Sequence, residues 1–203
     1  MDEQLTREVE RLKEHFDAVD VEREKAYTAS RNLRRMSVQL VRDIQRDMDV
    51  DVVQVLKDCR ELAAPLSALK VHFGFIEEAL QEYAEAALTY ALLNGLPAPT
   101  VDDLGVTERT YLLGLSDGVS EFRRRILTLL RSGQVDAATQ LFDLMDRLFY
   151  VLAVFDHTDA VLPLRRKQDQ LRAVIERTRS DLTTIISQKQ LEEKLTQASQ
   201  IVS

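Results

Sequence analysis

The stretch LTREVERLKEHFDAV, residues 5–19, carries an apolar residue at every third or fourth position. Its apolar residues therefore fall on one side of an α-helix, which has about 3.6 residues per turn. From residue 2 to about residue 48 the chain contains no glycine or proline, so no local signal ends the helix. The stretch predicts a very long first helix, a length typical of extended bundles or of helices that pack between subunits.

The rest of the chain continues the helical pattern. Asp49 or Asp51 is predicted to cap a second helix over about 51–62, and Pro65 to begin a third helix that ends near Asn94. The loop NGLPAPT precedes a single short turn that Thr100 caps. Thr107 is predicted to open the next helix, and the later helices are predicted over about 107–131, 134–155 and 163–183, with a polar tail at about 187–203 that is helical by pattern and prone to fraying.

No stretch alternates apolar and polar residues between turn signals, so no sheet is predicted. The chain has 203 residues, of which 45% are hydrophobic, and this suffices for one sizeable core. We therefore predict an all-α fold: a single-domain bundle of about six to seven helices over residues 1–203.

Composition excludes several classes of protein. The lone Cys59 cannot form an internal disulfide, and no apolar run approaches 20 residues, so a cytoplasmic protein without a membrane partner is expected. The net charge of −7 does not favour nucleic-acid binding through the overall field. Local basic surfaces are still expected, because arginines cluster at positions 31, 34, 35, 42 and 46 and again at 123, 124, 125 and 131.

Two pairs of carboxylates lie in otherwise apolar helices. Glu82 and Glu85 are three residues apart and Asp117 and Glu121 four apart, so each pair shares one helix face. If the two helices face each other, four carboxylates converge, and such a group suits a hard divalent cation such as Mg²⁺ or Mn²⁺. A bound cation of this kind activates water and neutralises a phosphate, which is the chemistry of a metal-dependent phosphodiesterase.

Two other interpretations of the carboxylates are open. Acidic pairs at this spacing are common on solvated helix faces, and the additional acids Glu77 and Glu78 favour that interpretation. The small residues Gly114, Ser116, Gly118 and Ser120 favour a site instead, because they are expected to leave room for a substrate. A di-iron centre is disfavoured, since none of the three histidines, His15, His72 and His157, follows a glutamate by three residues.

Several segments resemble the translin superfamily, and more specifically its Trax (translin-associated factor X) branch. The resemblance covers most of the chain and rests on LQEYAEA (80–86), YLLGLSDGVSEFRRR (111–125), REKAYTASRNLRRMS (23–37), SGQVDAATQLFDLMDRLFYVL (132–152) and LPLRRKQDQLRAVIERTRSDL (162–182). It implies an all-α subunit of a hollow homo-oligomer, an octamer in the family, that binds single-stranded RNA or DNA. The compact length implies an archaeal type of homologue.

The Trax resemblance also implies an activity and its residues. Trax-type chains are Mg²⁺-dependent endoribonucleases, whereas translin-type chains mainly bind. The acidic residues of the Trax site correspond to Glu82, Glu85, Asp117 and Glu121, and all four positions are acidic here. The resemblance therefore implies that these four residues are both the catalytic and the metal-binding residues.

Arginines near the carboxylates are predicted to hold the phosphates of the RNA. Arg124 and Arg125 follow Glu121 by three and four residues, and Arg31, Arg34 and Arg35 form the second group. A solvated rim paired with nearby acids is the alternative for these arginines. For the whole protein, the alternatives to an endoribonuclease are a non-catalytic single-stranded RNA- or DNA-binding protein of the translin type and a helical scaffold without a nucleic-acid role.

Overall fold

The structure is a computed structural model and describes residues 3–69 and 73–202; His72, one of the three histidines considered above, lies outside them. No strand occurs within these ranges, which confirms the all-α class. Seven helices follow one another there: α1 (Glu3–Gln45), α2 (Val52–Ser67), α3 (Gly74–Leu93), α4 (Val101–Leu104), α5 (Glu108–Arg131), α6 (Val135–Ala153) and α7 (Arg165–Val202). Over the same two ranges, no helix is both long and apolar enough to cross a bilayer.

Helix α1 has two halves with different surroundings. From residue 26 onward its apolar stripe is buried, and Leu33 and Leu40 are almost completely enclosed. From residue 3 to residue 25 every residue except Val19 is exposed, including Leu5 and Phe16 at 59% and 65%. The single chain therefore leaves the apolar stripe of the first half uncovered, as expected of a helix that packs between subunits.

Three predicted helix starts are confirmed by side-chain caps. The Asp51 carboxylate accepts a hydrogen bond from the backbone N–H of Gln54 at 3.0 Å and so caps α2. Thr107 and Thr110 satisfy each other's backbone N–H groups at the start of α5. Thr100 caps the single turn of α4 in the same way. These signals lie within four residues of one another, so the sequence alone is enough to place them.

The prediction for Pro65 is wrong. Instead of beginning a helix, Pro65 lies in the last turn of α2, and α3 begins only at Gly74. A proline near the end of a helix removes one N–H donor, which is the hydrogen-bond partner of the carbonyl one turn earlier. Pro65 is exposed, so solvent can reach this side of the helix, and the Ala68 N–H still bonds the Ala64 carbonyl at 3.3 Å.

Helices α3 and α5 form the centre of the fold. Helices α1 and α2 pack against α3, and α6 and α7 pack against α5. Nearly every second residue of α3 is buried, among them Leu80, Tyr83 and Leu88, so this helix has core on most sides. The carboxylates of α3 consequently lie inside the bundle or at its edge.

Candidate functional site

The site is positioned by an unusually close approach of α5 to α3. At Gly114 a β-carbon would lie 2.8 Å from both the Ala84 Cβ and the Gln81 backbone oxygen, and 2.9 Å from the Glu85 backbone nitrogen. At Gly118 it would lie 2.7 Å from the Thr89 hydroxyl oxygen. Glycine is therefore required at Gly114, because any side chain would meet the backbone of α3.

The close approach also corrects one sequence-based expectation. The small residues of α5 were expected to leave room for a substrate. Gly114, Ser116 and Gly118 are buried, and the space beside both glycines is filled by α3. Their small size serves helix packing, so the expectation of substrate room is wrong at these positions.

The contact brings the two acidic pairs to the same part of the bundle. Glu82 and Glu85 of α3 and Glu121 of α5 line a cleft of about 180 Å³ whose other wall is the last part of α1, including Val38 and Arg42. Asp117 lies one turn before Glu121, and its charge acts on each of the three glutamates. The structure thus brings all four predicted carboxylates into one electrostatic group, which we call the acidic cleft.

Asp117 is held by two other helices. The Lys167 ammonium of α7 donates to both carboxylate oxygens of Asp117, at 2.6 and 2.7 Å. The Gln81 amide of α3 donates to the Oδ2 of the same carboxylate at 2.7 Å. Side-chain exposure of Asp117 and Lys167 is only 30% and 22%, so this ion pair is partly shielded from solvent.

Two of the glutamates also have protein partners. Glu121 accepts a hydrogen bond from the Gln45 side-chain amide of α1. The Glu82 carboxylate lies 3.5 Å from the Arg34 guanidinium, whose other acidic neighbour is Glu78 at 3.9 Å. For Glu85, by contrast, the described part of the chain offers no side-chain hydrogen bond or ion pair.

Glu85 is the carboxyl group most disturbed by its surroundings. Its pKa rises from the ordinary 4.5 to about 8, chiefly because burial disfavours the charged form. The negative charges of Asp117, Glu82 and Glu121 add to the rise, and the positive charge of Lys167 opposes it. A group that is costly to ionise at neutral pH marks this point of the cleft as one where positive charge would be favourable.

The other two glutamates follow the same rule more weakly. Burial raises the pKa of Glu82, while the Arg34 guanidinium opposes the rise. Burial also raises the pKa of Glu121, where Arg124 opposes it and Asp117 adds to it. Burial and mutual repulsion therefore exceed the compensation that the surrounding cations provide.

These shifts predict that the folded protein loses stability as pH rises, when divalent cations are removed with EDTA. Between pH 4.5 and about 8 the unfolded chain has released the Glu85 proton while the folded chain still holds it. The folded state then binds more protons, so the free energy of unfolding falls across this range, by on the order of 5 kcal/mol. Glu82 and Glu121 contribute with the same sign.

Denaturant unfolding at several pH values measures this effect. The variant Glu85→Gln cannot ionise and should flatten the profile. A wild-type profile that is level, or that rises over this range, would show that Glu85 is not buried among like charges.

The acidic cleft suits a divalent cation by chemistry but is not arranged around one. Carboxylate oxygens are the ligands that Mg²⁺ and Mn²⁺ prefer, and burial together with three neighbouring carboxylates raises the pKa of Glu85. Among the described residues, however, no group of three or more His, Cys, Asp or Glu side chains is disposed to hold a metal ion. Asp117, Glu121 and Glu82 each turn toward a protein partner instead.

A basic groove adjoins the acidic cleft along α1. It has a volume of about 630 Å³, and its lining includes Arg31, Arg34, Arg35 and Arg42. Of these, only Arg34 is paired with a carboxylate within the ranges that the structure describes. Val38 and Arg42 line both the groove and the cleft, so the two form one continuous surface.

The three consecutive arginines of α5, Arg123, Arg124 and Arg125, lie on different faces of the helix and contact different parts of the protein. Arg124 lines the acidic cleft and is exposed, as expected for one of the two residues that follow Glu121 by about a turn. Arg125 instead pairs with Asp47 in the turn after α1, at 2.6 Å. Arg123 points to α7, where it pairs with Asp181 at 2.8 Å.

A comparison with known structures places the fold. The chain superposes on AfC3PO, a C3PO protein of the translin superfamily, with a TM-score of 0.82 and 27% identity over 89% of this chain and 97% of that chain. The same protein has been solved as a complex with duplex RNA, with the same similarity. The fold is that of the C3PO and translin-family proteins, as the resemblance predicted.

Two further proteins are similar to the chain. NeC3PO in its apo form matches with a TM-score of 0.78 and 21% identity over 87% of this chain and 96% of that chain, a level that shows the fold alone. An uncharacterised protein of Methanocaldococcus jannaschii is 30% identical over 181 residues, which are 87% of this chain and 82% of that protein. No protein-family model matches the chain.

Three residues of this site were not selected as site residues from the sequence, although Arg42 was named in a basic cluster. Lys167 and Gln45 lie 50 and 76 residues from their acidic partners, so no local spacing pointed to them. Arg42 had a usable signal, because it follows Arg35 by seven residues and so lies on the same helix face. Its position between groove and cleft became visible only with the packing of α1 on α3.

Proposed function

We propose that the protein is a Mg²⁺-dependent endoribonuclease that acts on single-stranded RNA, with Mn²⁺ as the alternative cation. The observation that carries this proposal is the continuity of the basic groove with the acidic cleft at Val38 and Arg42. A polyanion held by the arginines of α1 would run toward the carboxylates, which repel it unless a cation lies between them.

The cation would be held by Glu82, Glu85, Asp117 and Glu121, the residues that the Trax resemblance also selects. When bound, Mg²⁺ supplies a Lewis acid for the scissile phosphate and lowers the pKa of a bound water. The protein's own contribution is positional: α3 and α5 hold the carboxylates close together, and Gln45 and Gln81 orient two of them by hydrogen bonds. Arg124, at the edge of the cleft, is placed to contact a phosphate there.

RNA as the ligand is supported by the complex of AfC3PO with duplex RNA. The groove of α1 presents Arg31, Arg35 and Arg42 without carboxylate partners among the described residues, which leaves their guanidinium groups free for phosphates. We propose single-stranded RNA as the substrate, with single-stranded DNA as a further ligand. A stiff duplex would fit less easily than a single strand into the interior of a hollow oligomer. Arg34 and Arg125, which are paired here with Glu82 and Asp47, remain predicted contacts.

The proposed enzyme acts as a hollow homo-oligomer, an octamer by resemblance, of the Trax branch and of a compact archaeal type, in the cytoplasm. The exposed apolar stripe on the first half of α1, with Leu5, Val9, Leu12 and Phe16, supports assembly because an isolated chain leaves it in water. Leu191, in the C-terminal part of α7, is a further exposed apolar residue outside the stripe of α1.

Cutting of labelled RNA in the presence of Mg²⁺ tests the proposal. The purified protein should shorten a single-stranded RNA with Mg²⁺ or Mn²⁺ and should stop with EDTA. A duplex of the same sequence serves as the parallel substrate. Cutting that continues in EDTA would refute the metal dependence, and faster cutting of the duplex would refute the preference for single strands.

Arg42 is predicted to contribute to RNA binding although it lies outside the arginine groups selected from the sequence. Arg42→Ala should weaken binding by about threefold to tenfold at low salt and reduce the slope of log affinity against log salt by about one. Arg46→Ala is the matched control, since Arg46 is exposed directly after the end of α1 but lines neither groove nor cleft. Fluorescence anisotropy over a salt series measures both. Equal effects of the two variants would show that Arg42 makes no specific contact with the RNA.

A second function, RNA binding without cutting, is favoured by one observation. Asp117, Glu121 and Glu82 already have partners within the protein, so these three carboxylates are oriented without a cation. A translin-type binding protein would retain single-stranded RNA without turnover over Mg²⁺, Mn²⁺ and other divalent cations. The cutting assay above distinguishes the two functions directly.

A further inference from the structure

Lys167 is held in place by the packing of the first turns of α7. Leu164 and Leu171, on either side of it in sequence, are almost completely buried. The neighbouring Gln168 amide bonds the backbone oxygens of Leu152 and Phe155 at 2.8 and 3.0 Å, which fixes this end of α7 to the end of α6. The lysine side chain therefore reaches Asp117 from a rigid base rather than from a mobile surface.

The ammonium of Lys167 occupies a position in the acidic cleft where positive charge is favourable. It donates to both oxygens of Asp117, at 2.6 and 2.7 Å, with a side chain that is only 22% exposed. Its positive charge also acts to lower the pKa values of Glu82 and Glu85, against the rise that burial causes. One monovalent cation of the protein thus compensates part of the charge that four carboxylates bring together.

We propose that Lys167 is an exchangeable internal counter-ion, which holds Asp117 while no divalent cation is bound and releases it when one binds. This inference rests on the proposed function. A doubly charged ion beside Asp117 repels the ammonium, and the long flexible stem of lysine allows the ammonium to move away without movement of α7. The pairing also explains why Asp117 turns toward α7 rather than toward the three glutamates.

The exchange gives Lys167 a positioning role. While it is paired, it keeps Asp117 at the α5–α7 contact and prevents an uncompensated carboxylate in a half-buried place. A divalent cation therefore has to displace a partner that is already well placed, so its affinity is lower than four carboxylates alone would give.

Labelling of lysine amines tests the exchange directly in the wild-type protein. An amine-reactive acetylating reagent modifies free lysines, and mass spectrometry measures the labelled fraction at each position. Addition of Mg²⁺ should raise labelling of Lys167 several-fold, whereas NaCl at matched ionic strength should not. Lys189 and Lys194, exposed on the same helix, are internal controls that should not respond.

Each labelling result has a defined meaning. Strong labelling of Lys167 without Mg²⁺ would show that the ion pair is absent in solution and would overturn the inference. Continued protection of Lys167 in a protein that does cut RNA with Mg²⁺ would overturn the inference and leave the proposed function intact. Continued protection in a protein that never cuts would overturn both.

A pair of variants measures the competition as a binding constant. Lys167→Met removes the ammonium, and Mn²⁺ affinity measured by electron paramagnetic resonance should rise by about tenfold. Arg123→Met is the matched control, because Arg123 also joins α5 to α7 through an ion pair, with Asp181, but has no contact with the acidic cleft. Equal Mn²⁺ affinity of wild type and Lys167→Met would overturn the inference. The labelling experiment needs no variant and decides the question if Lys167→Met does not fold.

Discussion

Replacing Glu85 with glutamine should lower the rate of RNA cutting by about 10³-fold or more and leave RNA binding intact. Glutamine has nearly the shape of glutamate, so the packing between α3 and α5 is preserved. What is lost is a carboxyl group that can ionise when a cation binds, at the point of the cleft where three other carboxylates act on it. Any cation bound there loses a ligand, and any proton transfer through this carboxyl group is abolished.

RNA binding by the Glu85 variant should equal or exceed that of the wild type. The phosphate contacts come from the groove of α1 and from Arg124, none of which the substitution changes. Glutamine also adds no negative charge beside the path of a polyanion, so the substitution creates no new repulsion. A single-turnover cutting assay and an anisotropy titration on the same RNA separate the two effects.

The control for this prediction is Glu77→Gln. Glu77 lies two turns earlier on α3 and pairs with Arg109 at 3.7 Å, and it does not line the acidic cleft. The Glu77→Gln variant carries the same type of substitution on the same helix and should cut RNA at the wild-type rate. If the Glu85 variant cuts RNA at the wild-type rate, Glu85 is not part of the catalytic site. If the variant loses RNA binding as well as cutting, Glu85 has a structural role instead.

The sequence predicted the elements whose signals are local. The caps at Asp51 and Thr107 and the loop after Asn94 depend on residues within four positions of one another, and all three are confirmed. The long α1 followed from periodicity alone. The boundary between α2 and α3 was missed because Pro65 is compatible with both ends of a helix, and only tertiary packing decides which end is used.

The site was predictable in its residues but not in their pairing. Spacing placed Glu82 with Glu85 and Asp117 with Glu121, because each pair lies within one helix. The partners of these groups come from other helices: Lys167 reaches Asp117 across 50 residues of sequence.

Gly114→Ala should destabilise the fold by about 3 kcal/mol and lower the thermal midpoint by about 10 °C. Intrinsic helix propensity alone gives the opposite sign, since alanine stabilises a helix interior by about 1 kcal/mol relative to glycine. The new methyl group, however, would lie 2.8 to 2.9 Å from backbone atoms of Gln81 and Glu85, which cannot move aside as a flexible side chain can. Helices α3 and α5 must separate, and the loss of packing exceeds the gain in propensity.

Gly74→Ala is the matched control for this substitution. Gly74 begins α3 with nothing within 4 Å of a potential β-carbon, so the same change there should be neutral or slightly stabilising. The sign of the difference between the two variants therefore decides whether the helices approach as closely as described. Equal thermal midpoints would contradict that approach.

The Gly114 substitution should also change the acidic cleft itself. Asp117 and Glu121 are carried on the same helix, so separation of α5 from α3 moves them away from Glu82 and Glu85. Repulsion among the carboxylates then weakens, and the dependence of stability on pH between 4.5 and about 8 should become shallower in Gly114→Ala than in wild type. An unchanged pH slope in a destabilised variant would mean that the charges are brought together by something other than this helix contact.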